Sequence, residues 1–508
     1  MTGAPPGTDP NIVGPNDRRL EALVRPAAWT NPTPPGRYHL VVIGAGTAGL
    51  VTAAAAASLG ARVALIERHR MGGDCLNVGC VPSKGVISAA RAWHLARQAH
   101  ADFGGPMVTG SGDFATALER MRRLRADLAS VDSAERFKGL GVDLYFGEGR
   151  FTSPDRIAVD GAELSFRRAV IATGARAAIP PVPGLAELRP YTNETIFDLT
   201  APPRHLLVIG AGPIGCELAQ SFARLGVVVS LVDRAPRVLP RDDEEASRVV
   251  QAALRREGVH LHLGADLQRA ERNGDLVSLV LGGAPGNVVV EGDAILVAAG
   301  RHPNVDGLGL DAAGIAAERT GITVDDRLRT SHPRVFAIGD VASRYQFTHA
   351  ADFQARLVLS NALFFGRGRA SKLVIPWATY TSPELAQVGL TLAAAAMKGI
   401  AVDSVTVPFH EVDRAVLAGE AEGFLRVVLA RGTDRIVGIT IVGVHAGELI
   451  AEGAVAMTNR LGLSALGRTI HPYPTTAEAY RKAADQWRRR KLTPLARRIL
   501  GGWFRLTS

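Results

Sequence analysis

Two stretches of this chain are near copies of one another: residues 39–49 read HLVVIGAGTAG and residues 205–215 read HLLVIGAGPIG. Each starts as a short, β-branched apolar run, turns through GxGxxG, continues as an Ala-rich helical pattern and reaches a second strand that ends in an acid. The acids are Glu67 and Asp233, each 23 residues beyond the first glycine of its turn. A strand, tight turn, helix and second strand make one βαβ unit, so the repeat predicts two doubly wound α/β domains.

The spacing has a physical cause. Gly44 permits the turn, Gly46 lets the backbone approach a pyrophosphate, and Gly49 allows the helix to lie close against the strand; Gly210, Gly212 and Gly215 repeat those roles. The helix N-terminus offers unpaired N–H groups to phosphate, and the acid takes up ribose hydroxyls. One GxGxxG is weak evidence, whereas two complete cassettes predict two bound dinucleotides. That number suggests electron traffic between FAD and a nicotinamide. Three further stretches fit: VIATGARA at 170–177, LVAAGRHPN at 296–304 and VFAIGDVA at 335–342 each read as a buried strand meeting a glycine turn. They add Thr173, Gly174, Gly300 and Gly339 to the expected cofactor-binding residues, with Asp340 set to hydrogen-bond a ribityl or phosphate group. Asp233 favours the 2′-hydroxyl of NADH, while Arg234 and Arg237 just after it suit the 2′-phosphate of NADPH, so use of both is expected.

At 508 residues the chain exceeds what one hydrophobic core supports. Its first 36 residues are rich in proline and hold no apolar signal core, and no later stretch reads as a membrane span, so a cytoplasmic protein is expected. That compartment disfavours a structural disulfide. Two of the three cysteines nevertheless stand five positions apart in GGDCLNVGCVPSK, residues 72–84. On a regular helix such positions diverge by roughly 140°. Cys75 and Cys80 therefore meet only if the backbone between them is irregular, which Gly72, Gly73 and Gly79 allow. A zinc site needs about four ligands, and Cys216 lies far off in the second cassette, so no metal site is expected. A reversible dithiol beside a flavin is the favoured reading.

The net charge of +9 is concentrated in residues 481–508, which hold nine Arg or Lys against one Asp. No nucleic-acid motif accompanies it, and no nucleic-acid partner is expected. The favoured reading of this tail is a helix docked on its own subunit with a solvated basic face. The alternative is peripheral contact with an anionic membrane through Leu495, Ile499, Leu500, Trp503 and Phe504.

Taken together and in this order, the motifs resemble the class I pyridine nucleotide–disulfide oxidoreductases, which include lipoamide dehydrogenase, glutathione reductase and mercuric reductase; the likeness runs from about residue 37 to 480. The resemblance implies an α/β fold of two Rossmann-like domains, for FAD and NAD(P), plus a C-terminal α+β dimerisation domain. The implied layout is a Pro-rich extension (1–36), an FAD domain in two parts (37–183 and 304–370), an NAD(P) domain (184–303), an interface domain (371–482) and a basic tail (483–508). It implies a homodimer whose active sites are shared between subunits. By the same resemblance Cys80 is the thiol next to the flavin that forms the charge-transfer complex, and Cys75 the interchange thiol. Gly73 joins the cofactor-contacting residues, and Lys84 approaches the flavin and pairs with Glu217 of GCELA.

Near the C-terminus the chain reads HPYPTTAE, residues 471–478. Disulfide reductases of the family place a histidine five residues before the glutamate as acid/base. Here Tyr473 stands at that distance from Glu478, and His471 falls two residues earlier. A phenol with an ordinary pKa near 10 is a poor proton shuttle at neutral pH, and mercuric reductases similarly carry a tyrosine there. The expected acceptor is therefore a soft metal ion, taken directly by Cys75 and Cys80, since neither terminus supplies further cysteines. The other readings are a dihydrolipoamide-type reductase using His471, a quinone or oxygen reductase using the flavin alone, and a non-catalytic flavoprotein whose redox state governs membrane or partner binding.

Overall fold

The computed structural model describes residues 14–282, 287–490 and 492–507. Residues 1–13 of the expected extension, and Lys491 and Ser508 of the tail, lie outside the described residues.

Both cassettes fold as their patterns predict. In the first, the strand Tyr38–Ile43 lies parallel between Val63–Glu67 and Ala162–Ile171, with Thr47–Ser58 as the crossover helix. These strands belong to a seven-stranded sheet completed by Val142–Phe146, by the antiparallel pair Arg156–Val159 and Arg150–Ser153, and by Val335–Ala337. That last strand comes from far downstream and pairs parallel with Ala162–Ile171, which brings Gly339 and Asp340 back to the first domain. The central strands are hydrophobic without alternation because helices or sheet cover both faces; Val41 and Val42 are wholly buried. Each such side chain contributes about 1.5–3 kcal/mol by leaving water.

The second cassette builds a four-stranded parallel sheet in the order His260–Leu263, Val228–Asp233, His205–Ile209, Ala294–Val297. A three-stranded antiparallel sheet, Asp266–Asn273, Leu276–Gly282 and Val288–Gly292, covers it. The chain passes between the two cassette domains through Ala175–Ala177 and Arg301–Pro303, which pair antiparallel with each other. The C-terminal unit is a five-stranded antiparallel sheet, in the order Pro376–Thr379, Glu384–Gly389, Ile436–Gly443, Phe424–Ala430 and Val402–Pro408. The helices Ala446–Thr458 and Glu478–Arg490 close its core with Ile450, Tyr480 and Trp487.

Two terminal segments behave differently from their composition. Within the Pro-rich N-terminal stretch, Pro15–Val24 is a helix that buries Leu20 and Val24, and its Asp17 accepts a hydrogen bond from Arg125 at 2.8 Å. The basic tail divides in two. Its first part, the end of Glu478–Arg490, docks as expected through Ala483, Ala484 and Trp487. Its second part corrects the docked-helix reading: Pro494–Thr507 is helical but buries no residue. The reason is that amphipathic spacing specifies a two-faced helix without specifying what covers the apolar face. Among the described residues, no helix is long and apolar enough to cross a membrane.

Candidate functional site

The two glycine turns are braced in the same way. The Ala45 amide donates to Glu67 at 2.8 Å and the Ala211 amide donates to Asp233 at 2.6 Å. A second amide, from His69 or Ala235, holds the other oxygen of each acid at 2.7 Å. Burial raises the pKa of Glu67 against the pull of those amides. Gly44 and Gly210 sit at φ +100° and +111°, where a Cβ would meet a carbonyl oxygen at 2.4 and 2.5 Å, so only glycine fits. Around Gly46 and Gly212 a Cβ would meet nothing nearer than 3.7 Å. Neither following helix, Thr47–Ser58 or Pro213–Arg224, has a side-chain cap. Their first N–H groups are thus free to bind phosphate, which suits one dinucleotide per turn.

The cysteine segment is joined to the first of these turns. The Gly72 amide donates to Ala45 O at 2.9 Å, and a Cβ on Gly73 would lie 2.6 Å from Gly46 Cα. From there Gly73–Asn77 forms a short helix, the backbone breaks at Val78 and Gly79, and Cys80 opens the long helix Cys80–Phe103. This is the irregularity that the five-residue spacing requires. At Gly79 the need is for space, since a Cβ would approach Asp74 O to 2.7 Å. Side chains satisfy the carbonyls exposed by the break: Arg125 donates to Asn77 O at 2.8 Å and Asn193 to Val78 O at 3.2 Å. Arg125 thereby links the N-terminal helix, through Asp17, to the redox segment.

Cys75 and Cys80 are both free thiols in this structure, and they divide one proton unequally. The Cys75 hydrogen bond lowers the Cys80 pKa to about 6, overcoming burial and helped by Thr348 and Lys84. The Thr348 hydroxyl lies 3.4 Å from the Cys80 sulfur. The position of Cys80 at a helix N-terminus acts in the same direction. Cys75 is pushed up by that same hydrogen bond and by burial. Of the two, Cys80 is the one whose surroundings favour the thiolate and Cys75 the one whose surroundings favour the thiol. The third cysteine, Cys216, is buried in the second cassette, where burial raises its pKa.

Lys84 and Glu217 come together from the helices Cys80–Phe103 and Pro213–Arg224, with Nζ 2.9 Å from Oε2. Burial works against the charge of Lys84, and the carboxylate outweighs it, raising the pKa. The second oxygen of Glu217 accepts the Tyr380 amide at 2.9 Å, and the Tyr380 ring lies 4.5 Å from the ammonium. Asp340 is half-buried beside Arg301, 3.3 Å away, and desolvation pushes its pKa up to about 6. Arg301 also pairs with Asp74 of the cysteine segment. Thr173 donates to Asn304 O at 2.7 Å, fixing the Gly174 turn against the crossover, while Gly300 stands at φ +130° beside Arg301.

The structure does not bring Tyr473, His471 or Glu478 to the cysteines of the same chain. Tyr473 is 70 % exposed and donates to Asp413 at 2.8 Å, a hydrogen bond that raises its pKa further. His471 turns inward, with Nε2 2.9 Å from Glu452 and a side chain only 6 % exposed. Glu478 is buried and pairs with Arg481. Four residues not singled out in the sequence complete the site: Thr348, Tyr380, Asp74 and Arg301. Asp74 and Arg301 lie inside quoted motifs, whereas no local pattern announces Tyr380, or Thr348, which is 268 positions from its partner. Of the two arginines after Asp233, Arg234 is exposed, and Arg237 is occupied by Leu239 O, Pro240 O and Ser247.

Two dinucleotide turns beside a polarised dithiol define a flavin- and nicotinamide-linked dithiol oxidoreductase. Residues 38–355 match the pyridine nucleotide-disulphide oxidoreductase family, and residues 375–484 match its dimerisation domain; the chain belongs to that family, whose members use FAD and NAD(P)H. It is 34% identical over 448 residues to mercuric reductase of Lysinibacillus sphaericus, covering 88% of this chain and 82% of the relative. It is 36% identical over 466 residues to dihydrolipoyl dehydrogenase of Thermus scotoductus, covering 88% and 97%. A solved Cu(II) complex of the HOCl-induced flavoprotein disulfide reductase RclA from Escherichia coli superposes with a TM-score of 0.78 at 28% identity, covering 89% of this chain and 99% of that one. The protein is an FAD-dependent pyridine nucleotide-disulfide oxidoreductase, and its dimerisation domain supports a homodimer.

Proposed function

We propose that this enzyme reduces a soft metal ion, with Hg(II) and Cu(II) as the leading candidates, by electrons delivered from NAD(P)H to the Cys75–Cys80 pair. The observation that carries the reading is the contrast at the C-terminal motif. Tyr473 faces outward with its proton held by Asp413, while His471 is turned into its own subunit against Glu452. A disulfide substrate needs a base that accepts and returns the proton of the interchange thiol, and an outward phenol with a raised pKa does not serve. A metal ion displaces the Cys75 proton to water as it binds and needs no base that later returns it.

FAD, held by the Gly44–Gly49 turn, Glu67, Gly73, Thr173, Gly174, Gly339 and Asp340, supplies the two-electron relay between nicotinamide and thiols. The second turn, Gly210–Gly215 with Asp233, Arg234 and Gly300, receives the nicotinamide dinucleotide. Lys84, held by Glu217, keeps a fixed positive charge near Cys80. The two thiols together offer the soft coordination that Hg(II) and Cu(I) prefer. One Hg(II) taken to Hg(0), or two Cu(II) each taken to Cu(I), would receive the two electrons released as the dithiolate closes to the disulfide, and a further hydride equivalent from NAD(P)H would reopen it. In the dimer, Tyr473 and Glu478 would stand over the partner's thiols. The names of the mercuric reductase relatives and of the Cu(II)-bound RclA structure point the same way.

Replacing Cys75 by Ala tests the reading. Reduction of Hg(II) and Cu(II) should be lost while flavin stays bound, with lipoamide as the control acceptor. Undiminished turnover would mean that the thiols are bystanders and that quinone or oxygen takes electrons from the flavin. Efficient lipoamide reduction abolished by His471→Gln would instead establish the disulfide-reductase reading.

A further inference from the structure

The helix Pro494–Thr507, in the second part of the basic tail, buries no residue, and its pattern is specific. At 100° per residue, Leu495, Ile499, Trp503 and Leu506 share one face, with Leu500 and Phe504 along its flank. Arg497, Arg498 and Arg505 take the remaining arc. All six apolar side chains are exposed, Trp503 at 62 % and Phe504 at 65 %. The helix lies beyond residues 375–484, the span that matches the dimerisation domain. The last acid of the chain is Asp485; every later charged side chain is cationic.

We infer that this helix docks the enzyme on an anionic lipid surface, lying in the plane of the headgroups with its apolar face inserted. The charge distribution selects that occupant. Nearly all the net charge of +9 belongs to residues 481–508, so the remainder of a second copy is close to neutral overall and offers the arginines no net attraction, whereas an anionic bilayer does. Trp503 and Phe504 suit the boundary between headgroups and acyl chains, and a helix of about 21 Å carrying three arginines lies on a bilayer without spanning it. Docking by this helix is independent of which acceptor the thiols reduce.

The test is flotation of the purified holoenzyme with vesicles of equimolar phosphatidylglycerol and phosphatidylcholine, beside vesicles of phosphatidylcholine alone. The full chain should float with the anionic vesicles and stay behind with the neutral ones. Deleting residues 494–508, or combining Arg497→Glu with Arg498→Glu, should cut the bound fraction by about tenfold or more, with dimer mass and NAD(P)H-driven dye reduction unchanged. Equal flotation of intact and deleted chains would overturn the inference. So would equal binding to neutral vesicles, or a dimer that dissociates on deletion, since the helix would then be covered by a second copy.

Discussion

Glu217 joins three parts of the enzyme, and replacing it by Leu removes both of its acceptor oxygens while preserving most of its volume. The Tyr380 amide, now 2.9 Å from Oε1, would be left without an acceptor beside a residue only 5 % exposed. An unmet amide in such a place costs about 1–3 kcal/mol. Lys84 loses its partner too, but its side chain is 37 % exposed and water screens it, so that loss adds only about 1 kcal/mol or less. The stranded amide therefore accounts for most of the destabilisation, and a cost of about 2 kcal/mol there corresponds to roughly thirtyfold faster hydrogen exchange at Tyr380. Exchange followed by mass spectrometry on peptides spanning 376–386 reads it directly. Adding Lys84→Met to Glu217→Leu should recover only the smaller part, about 1 kcal/mol or less, because it removes the unpaired cation and leaves the Tyr380 amide without an acceptor. The Cys80 pKa should stay low in the double variant, because the Cys75 hydrogen bond is its largest cause and the opposed effects of Lys84 and Glu217 are removed together. Unchanged exchange at Tyr380 in Glu217→Leu would refute the argument, as would full recovery of stability in the double variant.

Other consequences follow from the same geometry. Because the Cys80 pKa is depressed to about 6, its thiolate is lost as pH falls through that value; alkylation of Cys80 in the reduced enzyme should slow with a midpoint near it. Thr348→Val should move that midpoint upward, toward the ordinary thiol value of about 8.5. Asp233→Ala should raise kcat/KM for NADPH relative to NADH, and Arg234→Ala should lower it for NADPH alone, each by about tenfold as expected for one charged contact. Arg237→Ala should instead lower stability, because its guanidinium holds the backbone of the 239–240 turn. Arg301→Ala leaves Asp74 and Asp340 facing each other without their shared cation, and weakened flavin retention, read by the rise of free-flavin fluorescence, should result.

Much of this site is legible in the sequence because its signals are local. The paired acids, the glycine turns and the need for a break between Cys75 and Cys80 all follow from spacing along the chain, and each appears where the spacing puts it. The Lys84–Glu217 pair is reached only through resemblance, since 133 positions separate the two. Thr348 cannot be read at all: its role comes from the turn of the long helix Thr348–Leu363 against the first domain. Asp17 is equally silent, an acid in a Pro-rich stretch that becomes buried only when Arg125 meets it. The tail shows the opposite failure, because a clear helical pattern says nothing about which neighbour, if any, covers it.

The two glycine turns are near copies in sequence, yet their surroundings differ. At Gly46 the nearest foreign atom to a built Cβ is Gly73 Cα of the cysteine segment, whereas at Gly212 there is nothing within 4 Å. In kinetic language this is a difference of residence time. A dinucleotide on the first turn should therefore leave more slowly than one on the second, because the backbone of the cysteine segment lies beside the first turn alone. Of the two copies of the motif, the one suited to a retained cofactor is the one joined to the segment that carries the thiols.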